Sequence, residues 1–161
     1  MMPLSTNNNV SVVIAYRGSD RHLLDVFLDL KLWFSDITFV GLSCTTISEE
    51  IKANGGDWIE SESTNICELW EKGIESKNSS WYLLLEGREY PSTILKESII
   101  EIAKSSPIHE VWFPIKRETF FLKQRLKYPL EWSCDPRPGL FFIEIKKPVQ
   151  IDSIPFSKEN L

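Results

Sequence analysis

The sequence predicts an α/β fold with a mostly parallel central sheet and a β-rich C-terminal part, on three observations. Apolar runs typical of buried strands alternate with amphipathic, helix-like segments from Val10 to Lys104. After Pro107 the rhythm changes to short strand-like runs punctuated by prolines at positions 129, 136, 138, 148 and 155. At 161 residues the chain has the length of one domain.

Val10 to Tyr16 (VSVVIAY) is β-branched and reads as a buried strand. Arg17-Gly18-Ser19-Asp20 is a turn in which Ser19 or Asp20 can cap the next helix. That helix, His22 to Phe34, places Leu23, Leu24, Phe27, Leu28, Leu30 and Leu32 mostly along one face. Asp36 to Leu42 is a second strand, Ile47 to Ala53 a short helix stopped by Asn54-Gly55-Gly56, and Asp57 to Ile59 a brief third strand. Thr64 or Asn65 caps a helix running to about Lys77, with Ile66, Leu69, Trp70 and Ile74 at helical spacing. Trp81 to Leu85 (WYLLL) is the most apolar strand and reads as central. Pro91-Ser92 opens a helix to about Lys104. Glu110 to Phe113, Glu118 to Leu122 and Leu140 to Ile145 read as the later strands. Such an alternation implies parallel strands with right-handed crossovers, and ligands of such sheets bind beyond the carboxyl ends of the strands.

Composition excludes several classes. A net charge of −5 argues against broad nucleic-acid binding. A local basic stretch does occur at Lys116, Arg117, Lys123, Arg125 and Lys127, with Phe120, Phe121 and Tyr128 interleaved. It suits peripheral contact with an anionic lipid surface or RNA, or equally a solvated hairpin. The three cysteines, Cys44, Cys67 and Cys134, are widely spaced and read as free thiols in a reducing compartment, which predicts a cytoplasmic location. They lack the paired spacing of a zinc site. The first nine residues read as a disordered tail without the features of a signal peptide. No apolar run approaches the ~20 residues of a membrane span. Trp112, Phe113, Trp132, Phe141 and Phe142 read as core, or in part as an apolar patch for a partner. No Gly-rich phosphate loop or nucleophile elbow is present.

The segment SVVIAYRGSDRHLLDVFLDL resembles the opening of family-two glycosyltransferases, which have the GT-A fold. DITFVGLSCTT sits where such enzymes carry a strand followed by an acidic turn. WYLLLEGREYPS sits where they carry an apolar strand and then the Asp-x-Asp motif. ETFFLKQRLKY followed by EWSCDPRPGLFFIE resembles the branch that adds sugars to lipopolysaccharide core. The likeness covers roughly residues 10–146, leaving 1–9 and 147–161 as tails. It implies a GT-A-like three-layer α/β/α sandwich, with donor-binding positions at Ala15, Tyr16, Arg17, Gly41, Glu86 and Arg88.

The departures fall on the chemistry. Gly41 stands where working members carry the Asp that holds uracil or ribose. Glu86-Gly87-Arg88-Glu89 replaces the Asp-x-Asp motif, whose oxygens hold the hard Mg²⁺ or Mn²⁺ that neutralises the leaving diphosphate. A retained metal site would use Glu86 and Glu89; the Arg88 cation opposes it. Arg88 admits two readings: a guanidinium that pairs with phosphate directly, or a surface residue paired with Glu86 or Glu89. For the base that takes the acceptor proton the candidates are Glu118, Glu131 and Asp135, with Asp135 preferred from its place in a Pro-rich loop. Asp135 reads equally as an Asx-turn ahead of Pro136. The expectation is a degenerate, non-catalytic domain without a metal cofactor, binding a protein partner or a glycan. The alternative is an active inverting glycosyltransferase using Mg²⁺ or Mn²⁺, moving a sugar from a nucleotide-diphosphate donor to a glycan or lipid acceptor in cell-envelope polysaccharide synthesis.

Overall fold

The computed structural model describes residues 9–18, 22–42, 45–105, 111–115, 120–121, 124–125 and 138–142. Four β-α units lead the chain. They are β1 (Val10–Tyr16) with α1 (Leu23–Lys31), β2 (Asp36–Gly41) with α2 (Thr45–Ala53), β3 (Asp57–Glu60) with α3 (Ile66–Glu75), and β4 (Trp81–Glu86) with α4 (Thr93–Ala103). Four short strands come after them: β5 (Val111–Pro114), β6 (Phe120–Phe121), β7 (Gln124–Arg125) and β8 (Pro138–Phe142). The main sheet has the order β3-β2-β1-β4-β8-β5. β1 to β4 run parallel, and β8 runs antiparallel to both β4 and β5. β6 and β7 form a separate two-stranded ladder.

Side-chain alternation along β1 splits the core into two layers. Val10, Val12, Ile14 and Tyr16 face α1, α2 and α4, where they meet Phe27, Leu30, Ile51 and Ile99. Val13 and Ala15 face α3, where they meet Leu69, Trp70 and Ile74. The result is a three-layer α/β/α sandwich, three helices on one face and one on the other. α3 lies close to the sheet, because a Cβ on Gly73 would come within 2.2 Å of Val13 Cγ1.

Local chemistry explains the ends of the helices. Asn65 caps α3 by accepting from the Cys67 N–H at 2.9 Å, and Ser92 caps α4 by accepting from the Leu95 N–H at 3.2 Å. α2 closes in a Schellman turn: Gly56 N–H donates to the Ile51 carbonyl and Gly55 N–H to that of Lys52, with Gly55 at φ +85°. Helix α1 is shorter than its sequence suggests. It ends at Lys31, and Leu28 and Leu32 are exposed while Leu23, Val26, Phe27 and Leu30 are buried. The buried set follows the 3.6-residue period, which the even run of leucines hides. β5, β6 and β8 overlap the predicted ranges 110–113, 118–122 and 140–145, whose residues 110, 118, 119, 122 and 143–145 lie outside the described residues.

Candidate functional site

The carboxyl ends of β1, β2 and β4 converge, and the register fixes which residues meet. Ala15 pairs with Glu86, and Tyr16 with Gly41. The chain leaves β4 through a turn in which Gly87 N–H donates to the Ala15 carbonyl at 3.0 Å and Glu89 N–H to the Glu86 carbonyl at 3.0 Å. The Trp70 indole N–H donates to the Leu85 carbonyl at 2.9 Å and fixes the end of β4 from the α3 side.

Two carboxylates occupy this end, and both are engaged. Glu86 is 7% exposed and accepts from the Arg17 guanidinium at 2.8 Å. The Glu89 carboxylate accepts from the Glu86 backbone N–H at 2.8 Å. The Arg17 guanidinium therefore places a positive charge directly beside the Glu86 carboxylate. Among the described residues no group of three or more His, Cys, Asp or Glu is placed to hold a metal ion. A hard divalent cation prefers about six oxygen ligands, and a carboxylate already paired with a guanidinium is a poor donor. Among the described residues, Glu86 and Glu89 by themselves do not make a site that fits Mg²⁺ or Mn²⁺.

The other predicted donor-binding positions divide sharply. Ala15 and Tyr16 are buried, and their side chains belong to opposite core layers. The Tyr16 ring packs edge-on against Trp58, with ring centroids 5.3 Å apart. Arg17 and Glu86 are brought together. Arg88 is exposed and forms no ion pair with Glu86 or Glu89, so the pairing expected of it belongs to Arg17 instead. Gly41 reads in the sequence as a lost acidic residue, but the structure gives it a packing role. A Cβ there would lie 2.0 Å from the Tyr16 carbonyl oxygen, closer than any side chain is tolerated. Leu42, next along, is exposed. Asp135, Glu118 and Glu131 lie outside the described residues, as do Lys116, Arg117, Lys123 and Lys127 of the basic stretch.

A second polar cluster, which the sequence did not suggest, sits at the amino ends of the strands. Lys77 Nζ lies 2.7 Å from Asp36 and 2.5 Å from Asp57. The buried Ser11 hydroxyl donates to Asp36 and lies 2.5 Å from the Ser79 hydroxyl. The Tyr82 hydroxyl accepts from the Ser79 N–H at 3.1 Å. Burial by itself lowers the Lys77 pKa, but the hydrogen bonds and negative charges of Asp36 and Asp57 outweigh it and leave the ammonium above its ordinary value. Burial raises the Tyr82 pKa.

No family model matches the chain, and no curated protein matches it. The chain is similar to the solved structure of CMP:2-keto-3-deoxy-manno-octonic acid synthetase complexed with CTP, at 12% identity and a TM-score of 0.43, over 84% of this chain and 71% of that one. Among the described residues no helix is long and apolar enough to cross a membrane. Among the described residues Cys67 forms no disulfide; Cys44 and Cys134 lie outside the described residues.

Proposed function

We propose that this is a glycosyltransferase-like domain of family-two ancestry that no longer transfers sugar and acts as a binding module for a protein partner or a glycan. One observation carries the reading: the Glu86 carboxylate is held by Arg17 across the ends of β1 and β4. Departure of a nucleoside diphosphate needs fixed positive charge at the phosphates. Here the one acidic side chain at the first motif position is already neutralised by the protein's own cation. Gly41 adds to this, since no acidic side chain can occupy that position without moving the backbone of Tyr16.

The test is thermal unfolding of the full chain with uridine diphosphate, with and without Mn²⁺. A ligand bound only by the folded state raises the melting temperature. The expected result is no shift in either condition. A Mn²⁺-dependent rise would overturn the proposal in favour of the active inverting transferase. A metal-independent rise, lost in Arg88→Ala, would overturn it in favour of direct phosphate pairing by Arg88.

A further inference from the structure

The chain carries one Asn-Gly dipeptide, Asn54-Gly55, in the turn that closes α2. Asparagine before glycine is prone to lose its side-chain amide, because glycine has no Cβ to crowd its own nitrogen as that nitrogen attacks the neighbouring side chain. Asn54 is exposed, and the space beside Gly55 is open. Among the described residues a Cβ on Gly55 would meet only Lys31 Nζ, at 3.6 Å. Sequence and exposure both mark Asn54 for modification.

The hydrogen bonds of the turn oppose it. Attack requires the Gly55 nitrogen, stripped of its proton, to approach the carbonyl carbon of the Asn54 side chain. The Gly55 N–H is instead committed to the Lys52 carbonyl at 3.0 Å. The Asn54 side-chain amide reaches back along the helix and donates to the Glu50 carbonyl at 2.8 Å, whereas the nucleophile lies in the other direction along the chain. The Asn54 backbone N–H is shared between the Glu50 and Ile51 carbonyls, each at 3.1 Å. Gly56 N–H donates to the Ile51 carbonyl at 2.9 Å, and Lys31 Nζ donates to the Asn54 carbonyl. Gly56 itself is seated against the core, since a Cβ there would lie 2.6 Å from Ile51 and 2.9 Å from Phe27.

We propose that Asn54 is a deamidation site gated by the closing turn of α2, so that local opening of this turn sets the rate at which the chain is modified there. Once the turn opens, the Gly55 nitrogen gives its proton to water and bonds to the Asn54 side-chain carbon. The bond from that carbon to the side-chain nitrogen breaks, and ammonia leaves. Water then opens the cyclic imide at either of its two carbonyls. One opening gives aspartate in a normal backbone. The other gives isoaspartate, whose main chain runs through the former side chain. The first product adds a negative charge at the C-terminal end of a helix, where the dipole disfavours it. The second lengthens the backbone between Ala53 and Gly55 and displaces the N–H groups that bond Lys52 and Ile51. The turn that delays the reaction is therefore lost with it, and the change is irreversible. The proposal is independent of the reading of the Glu86 end.

The experiment follows the peptide containing Asn54 by mass spectrometry while the full chain is incubated at mildly alkaline pH, with and without denaturing urea. Exchange of the amide NH₂ for OH raises the mass, and chromatography separates aspartate from isoaspartate. The expected result is conversion at least about tenfold slower in the folded chain, as for a group exposed only by local opening. Lys31→Met removes one bond to the turn from an exposed side chain. It should speed conversion of the folded chain about threefold, the worth of one exposed hydrogen bond, and leave the rate in urea unchanged. The proposal is overturned if Asn54 converts as fast folded as in urea, if it converts in neither, or if Lys31→Met leaves the folded rate unchanged.

Discussion

The two ends of the parallel sheet are both polar, yet they satisfy their polar groups in opposite ways. At the carboxyl end Arg17 closes on Glu86, Glu89 folds back on a backbone N–H, and Gly41 lies against the Tyr16 carbonyl. At the amino end Lys77 is shared by two aspartates, and a few residues away Thr38 and Trp58 keep unmet polar atoms. Ligands of such sheets are expected at the carboxyl end. Among the described residues the acidic side chains at that end are engaged within the protein, and the two buried polar atoms without partners lie on β2 and β3. Topology says where a site can be built; the partners of individual side chains say whether it is still available.

The largest expected effect comes from Gly41→Ala, which drives a Cβ into the Tyr16 carbonyl. It should cost about 3 kcal/mol or more, lowering the melting temperature by about 10 °C, as calorimetry would show. A neutral result would mean that the carboxyl end can relax and is less closed than the packing implies. Next is Lys77→Met, which leaves Asp36 and Asp57 facing each other without their cation and should cost about 2 kcal/mol by urea denaturation.

Lys77 also sets an alkaline limit. Its folded pKa is raised, so its contribution is fully present below the ordinary lysine value and is lost as pH climbs through the folded one. Tyr82, also raised, acts in the same direction. Stability should be flat in this respect through neutral pH and fall above about pH 10, with a shallower fall in Lys77→Met. Arg17→Ala comes third. It strands the Glu86 carboxylate, but Arg17 is 39% exposed, so the expected loss is about 1 kcal/mol. If that variant gained Mn²⁺ affinity, the arginine would be shown to be what keeps a metal out. Arg88→Ala should be smallest, within about 0.5 kcal/mol of the parent.

The regular part of the fold was legible because its signals are local. VSVVIAY and WYLLL announce buried strands, and Asn65, Ser92 and Asn54-Gly55-Gly56 punctuate helices through contacts a few residues apart. The site was less legible because its decisive contacts join distant residues. The sequence offers Arg88, two positions away, as the partner of Glu86, whereas the partner is Arg17, 69 positions away. Gly41 looks like a deleted carboxylate until the Tyr16 carbonyl is found against its Cα, a contact set by strand register rather than composition. Nothing local marks Lys77 at the end of a predicted helix; only the parallel pairing of β1, β2 and β3 brings Ser11, Asp36 and Asp57 beneath it. Leu28 and Leu32 misled in the other direction, since a leucine-rich helix offers more apolar residues than one face can bury.

The central place of β1 has a consequence for how the protein is made. Its two neighbours are β2, which begins at Asp36, and β4, which begins at Trp81. A growing chain must therefore carry its uncharged VSVVIAY segment with one edge open until residues beyond Glu86 have left the ribosome. Low charge, β-branching and an unfilled edge are the ingredients of strand-mediated aggregation. Truncation products that stop before β4 should accordingly be insoluble, whereas fragments that include it can close the edge of their own first strand.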